Sequence, residues 1–132
     1  KEFWAAKLAN ARTPVSVPAD LPVPAKPSYT ARRFIEKFTE AEVKKIKRQA
    51  VEVGCTEFMY VFALFSFWLG KLVGESELTV GVPVAGRPTK ESMGVVGYCT
   101  HLLPILIGKC QGNNLSDHVA SVRRVLLESY EH

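Results

Sequence analysis

The stretch from Glu57 to about Val73 constrains this chain most. Phe58, Met59, Val61, Phe62, Leu64, Phe65, Trp68, Leu69 and Leu72 set apolar side chains around nearly the whole circumference of a helix. Such a helix needs cover on all sides, so it is expected at the centre of the fold. Thr56 stands where an N-cap belongs, and Gly74 stops the helix. Ser66 interrupts the run, and Gly70 and Lys71 follow it, so it falls short of the roughly 18–20 apolar residues needed to cross a bilayer. A buried helix in a soluble protein is the expectation. The chain has 132 residues, a size that fits one domain or one lobe.

The segments around that helix alternate in type. Phe3, Trp4 and Leu8 fall at helical spacing, predicting a helix over Lys1 to Ala9. Pro14, Pro18, Pro22, Pro24 and Pro27 then remove amide donors and fix φ, so residues 11–29 should run extended as a linker. Alternation at 30–38 is consistent with a strand, although neither face is cleanly apolar. Thr39 and Glu42 have the spacing of a capping box, followed by a stripe of Val43, Ile46, Ala50 and Val53 and a stop at Gly54. Leu78 to Val84 predicts a buried strand, left through the loop Ala85-Gly86-Arg87-Pro88. Val95 to Ile107 predicts a long β segment. Asn114 and Asp117 make a second capping pair, opening a helix with Leu115, Val119, Val122, Leu126 and Tyr130 on one stripe. This order predicts an α/β (α+β) two-layer fold with helices packed on a mixed sheet.

Composition narrows the function. Lys and Arg exceed Asp and Glu by 17 to 13, a net charge of +4, and Lys44-Lys45-Ile46-Lys47-Arg48 carries much of the excess. That cluster has no interleaved aromatics and no Gly-rich phosphate loop, so a solvated helix face is expected and no nucleic-acid partner. Cys55, Cys99 and Cys110 are odd in number and lack CxxC spacing, which argues against a disulfide framework and a structural zinc site. Free thiols suit a reducing cytoplasm. Nothing resembling a signal peptide or a membrane span opens the chain. Both ends look cut from a longer protein: there is no initiating Met, and the last residues are helical in pattern without a stop.

Glu2 to Leu8 with Leu21-Pro22-Val23-Pro24, then Val80 to Arg87, Val96 to Ile105 and Tyr130-Glu131-His132, in that order, resemble motifs of the C-terminal lobe of a nonribosomal peptide synthetase condensation domain, of the chloramphenicol acetyltransferase-like superfamily. Glu2-Phe3-Trp4-Ala5-Ala6-Lys7-Leu8 followed by Leu21-Pro22-Val23-Pro24 is similar to the family's aromatic-Trp helix end and its Leu-Pro-rich crossover between lobes. Val80-Gly81-Val82-Pro83-Val84-Ala85-Gly86-Arg87 resembles "VGTPVAGR". Val96-Gly97-Tyr98-Cys99-Thr100-His101-Leu102-Leu103-Pro104-Ile105 sits where the family has (I/V)GxFVNTLxxR or GYxxNxLPI. Tyr130-Glu131-His132 resembles the opening of "HQDYPF". Two departures stand out: His101 replaces the family's asparagine, and Cys99 stands at the nearby aromatic position. The defining HHxxxDG is absent, since His101, His118 and His132 are isolated. In the family that motif lies in the preceding lobe.

The resemblance implies half of a V-shaped, two-lobed enzyme with a tunnel between the lobes. Residues 1–132 would be the C-terminal lobe, entered through the crossover at 11–29, with the N-terminal lobe as its partner. Donor and acceptor peptidyl carrier proteins would deliver thioesters on phosphopantetheine arms, which act as substrates, and no cofactor is expected to bind directly. This lobe would supply tunnel wall rather than a catalytic base: the segment after Val80 would form the tunnel floor and Val96–Ile105 would line it, with Gly97, Tyr98 and His101 as the substrate-tunnel residues. Arg32 or Arg33 would hold the aspartate of HHxxxDG, an arrangement suited to bidentate pairing. Arg87 would fix its loop. No catalytic residue and no metal ligand is assigned. Alone, the chain is expected to be inactive and to self-associate through surface shaped for its partner. Two other readings stay open: an epimerisation, cyclisation or acyltransferase domain of the same superfamily, and a non-catalytic carrier-protein-binding module.

Overall fold

Side-chain caps set where the helices begin. The computed structural model describes residues 2–9, 15–22, 24–86, 90–108 and 114–132. Helix α1 spans Glu2–Leu8, α2 spans Glu40–Glu52 and α3 spans Glu57–Val73. At the head of α2 the capping box forms in full. Thr39 Oγ1 accepts from the Glu42 amide at 3.3 Å, and Glu42 Oε2 accepts from the Thr39 amide at 2.7 Å. These bonds, the backbone one foremost, hold the Glu42 carboxyl below the usual carboxylate range. Thr56 caps α3 by accepting from the Met59 amide at 3.2 Å, and Gly74 ends it in the left-handed region at φ 72.

Strand β1, Leu78–Ala85, pairs antiparallel with β2, Thr100–Ile107; the short helix α4, Lys90–Met93, lies between them in sequence. Leu78, Val80, Val82 and Val84 stand opposite Ile107, Ile105, Leu103 and His101, the face turned to the helices. One more rung beyond the last pair is the Gly86 amide donating to the Cys99 carbonyl at 2.7 Å. That rung sets the parity of the ladder, so the amide positions of 83 and 104 point away from the partner strand. Pro83 and Pro104 therefore sit in a paired strand without removing a rung. Helix α5, Leu115–Tyr130, begins where Asn114 Oδ1 accepts from the Asp117 amide at 2.8 Å.

The core lies where α5 packs against β2 on one side and α3 on the other, with α2 on α3. Ile105, Val122 and Leu126 are fully enclosed there, with Ala50, Ala63 and Ile107 around them. Each large aliphatic side chain so buried contributes about 1.5–3 kcal/mol relative to exposure. Helix α1 docks on the end of α5: Lys7 Nζ meets Glu128 Oε2 at 2.8 Å, and the Phe3 ring stacks on His132 at 3.9 Å between centroids.

The helices-on-a-sheet architecture stands, with four corrections of detail. Residues 30–38 form extended, exposed chain with no β pairing among the described residues, because neither of their faces is apolar enough to be drawn onto the core. The β segment expected from Val95 begins only at Thr100; Val95 to Cys99 is irregular, with Gly97 at φ 148 breaking the extended run. The described sheet is thus one antiparallel pair. Helix α3 is covered on one side only, since α2 and α5 reach half of its circumference; Phe58, Val61, Phe65, Trp68 and Leu72 form an exposed stripe on the other. On α5, Val125 joins the buried stripe while Tyr130, at the helix end, stays half exposed.

Candidate functional site

Because β1 and β2 are antiparallel, the chain leaves one strand and enters the other at the same end of the pair. There Ala85, Gly86, Gly97, Tyr98, Cys99 and Thr100 line an open groove of about 240 Å³. Its glycines are required for different reasons. A side chain at Gly97 would meet open space, but φ 148 is a conformation that side chains rarely adopt. At Gly86 the limit is space: a Cβ there would overlap the Cys99 carbonyl oxygen and the His101 imidazole. The lining thus includes two residues without side chains, and the space beside Gly86 is taken by the His101 ring. Tyr98 stands beside the groove with 91% of its surface exposed, next to Val96, which is 99% exposed.

Of the residues expected to form a site, Gly97 and Tyr98 line the groove, and His101 reaches its edge through contact with Gly86. Arg32 and Arg33 are not among the lining residues; they stand in the exposed 29–38 segment, and neither bonds to a described residue. Arg87 and Cys110 fall outside the described residues. Ala85, Gly86, Cys99 and Thr100, which lie in the two segments expected at the tunnel, complete the lining although none was singled out. Only their position at facing strand ends brings them there, although a glycine closing a strand is a signal for close approach of other groups.

A second polar feature lies inside the protein. His118 Nε2 and Ser66 Oγ are 2.9 Å apart between α5 and α3, and both residues are buried. Ser66 donates its single hydroxyl proton to the Ala63 carbonyl at 3.0 Å. The tautomer with its proton on Nε2 satisfies this arrangement, donating to Ser66 Oγ. His118 Nδ1 then faces the core as an unprotonated acceptor with no hydrogen-bond partner. Burial pushes the His118 pKa below the ordinary imidazole value, outweighing the raising effect of the Ala63 carbonyl. With the Phe67 ring edge-on at 5.5 Å, this histidine is walled in and joins two helices. The Cys55 thiol is pushed up by its own partial burial, which leaves it a poor nucleophile.

No single helix among the described residues is long and apolar enough to cross a membrane; α2 and α3, bent by 97°, pass only as a pair, by length and composition.

The comparisons with known proteins agree in kind. Tyrocidine synthase 2 of Brevibacillus parabrevis is 26% identical over 130 residues, covering 98% of this chain and 4% of that protein. Bacitracin synthase 2 of Bacillus licheniformis is 30% identical over 118 residues, 89% of this chain and 4% of its own length. The chain thus spans a few per cent of these relatives. Among solved structures, the condensation domain of the Monacolin K polyketide synthase MokA aligns with 99% of this chain and 32% of its own, at TM-score 0.75 and 17% identity. The first condensation domain of the CDA synthetase covers 98% of this chain and 28% of its own, at TM-score 0.75 and 18% identity. Both share the fold. The family model for the condensation domain matches residues 1–132 from end to end, and the chain belongs to that family.

Proposed function

We propose that this chain is one wall of a substrate tunnel in a larger amide-forming domain. In it, the amine of one carrier-bound aminoacyl thioester attacks the thioester carbonyl of another. The observation that carries the reading is the groove at the Ala85–Thr100 end of the sheet, whose lining includes Gly86 and Gly97, neither of which carries a side chain. A slender, amide-rich phosphopantetheine arm can run close to such a surface. Tyr98, exposed beside the groove, supplies an amphipathic side chain along that path. His101, at its edge, donates a hydrogen bond to a substrate carbonyl.

The chain holds no HHxxxDG, so the proton-handling imidazole comes from the segment that pairs with it, entered through the crossover at 11–29. Arg32 and Arg33, exposed and unbonded to any described residue, are available to hold the aspartate of that motif. The arms reach the groove from donor and acceptor carrier proteins in the cytoplasm. Orientation of two tethered reactants is the main contribution of such a wall, and fixed proximity can be worth about 7–11 kcal/mol of barrier.

The test joins this chain to its native upstream coding segment and assays the product with two loaded carrier proteins. Amide formation is expected from the joined protein and none from the chain alone. Gly97→Val should lower turnover by at least tenfold, since it both strains the backbone and fills the groove. Turnover by the chain alone, or full turnover by Gly97→Val, removes the reading.

A further inference from the structure

The His101 ring occupies an unusual seat. It lies on the same sheet face as Val84, one rung from the end of the ladder, with its Cδ2–Nε2 edge in the space that a Cβ at residue 86 would fill. The Gly86 amide meanwhile holds the Cys99 carbonyl at 2.7 Å, which pins the backbone on both sides of the ring. No described residue hydrogen-bonds either ring nitrogen. Shape alone orients the imidazole, and its hydrogen-bonding capacity is unspent.

We infer that Gly86 is a positioning residue for His101: the missing side chain at 86 seats the imidazole at the edge of the groove, with a nitrogen left to bond a substrate carbonyl. An uncharged acyl or amide carbonyl is the matching ligand, because an imidazole N–H is a directional donor. Nδ1, on the side of the ring away from Gly86, is the nitrogen turned from the backbone. The inference deepens the tunnel-wall reading and rests on it for the ligand, while the seat itself is tested separately.

The seat is tested by nuclear magnetic resonance on the joined protein. A cross-peak between the Gly86 α-protons and His101 Hδ2 is expected in the unsubstituted protein. Its absence overturns the inference without any variant. In Gly86→Ala the His101 ring signals should move while those of His118 and His132 stay; unmoved His101 signals also overturn it. Function is tested by coupling. Removing the ring by His101→Ala should cost roughly tenfold in kcat when residue 86 is glycine, the worth of one hydrogen bond, and nothing when it is alanine. Equal cost in both backgrounds refutes positioning, whatever Gly86→Ala does to the backbone. If His101→Ala costs nothing in either background while the ring is seated as described, the carbonyl-donor role fails. If no variant, including the parent, forms amide, the tunnel-wall reading fails and the ring signals still decide the seat.

Discussion

Replacing Ser66 by alanine should destabilise the protein far beyond the loss of one surface hydroxyl. Ser66 is 1% exposed, and its oxygen is the acceptor for His118 Nε2–H at 2.9 Å. Alanine takes that acceptor away and leaves the buried N–H only the Ala63 carbonyl to turn to, and a buried donor robbed of its partner costs about 1–3 kcal/mol. At this chain length, 2 kcal/mol corresponds to a fall of roughly 8 °C in the thermal midpoint. The ring cannot relieve the loss by changing tautomer, because Nδ1 has no acceptor to bond either. The assay is thermal unfolding followed by circular dichroism at pH 7.5, with Ser66→Ala, His118→Leu and the pair. Removing both polar partners should recover most of the loss, since an apolar pair leaves nothing unsatisfied.

The same geometry sets a pH dependence. Folding holds the His118 pKa below its unfolded value of about 6.5, so above that pH both states are neutral and stability is flat. As the pH falls below about 6.5 the unfolded chain takes up a proton that the folded chain refuses, and stability declines until the folded pKa is passed. His118→Leu should abolish the decline between pH 6.5 and 5. Glu42 and Glu128, whose carboxyls are held low by hydrogen bonds from Thr39 and Lys7, act at lower pH and do not obscure it. A midpoint fall under 2 °C in Ser66→Ala, or an unchanged acid slope in His118→Leu, would refute the account.

Two further expectations concern the core and the surface. Ile105, on β2, is fully enclosed where α5 packs on that strand, so Ile105→Ala should cost about 2–5 kcal/mol in urea unfolding, with an unchanged slope. Phe65 and Trp68 lie on the exposed stripe of α3, at 45% and 56% exposure, and the isolated chain should self-associate through it. Phe65→Glu with Trp68→Glu should shift sedimentation toward monomer, and a parent that is already monomeric at high concentration would remove that expectation.

Local chemistry was legible in the sequence, and long-range pairing was not. The Thr39–Glu42 box, the Thr56 and Asn114 caps and the Gly74 stop all form as the spacing predicts, because each is settled within one helical turn. The segment 30–38 alternates yet pairs with nothing described, since alternation records only that a strand would be possible. The two segments that meet at the groove were identifiable through family motifs, whereas the seat of the His101 ring over Gly86 came only from the β1–β2 register.

His118 shows the division most plainly. In the sequence it is one of three isolated histidines, and Ser66, 52 positions earlier, is a flaw in an apolar helix. Tertiary packing of α5 on α3 brings them within hydrogen-bonding distance and strips both of water. Sequence determined helices α1, α2, α3 and α5, the caps that open α2, α3 and α5, and the family, all of which depend on neighbours along the chain, while the short α4 had no such signal. Tertiary structure decided which glycine seats a ring, which serine is indispensable and which face of α3 stays open, because those depend on neighbours only in space.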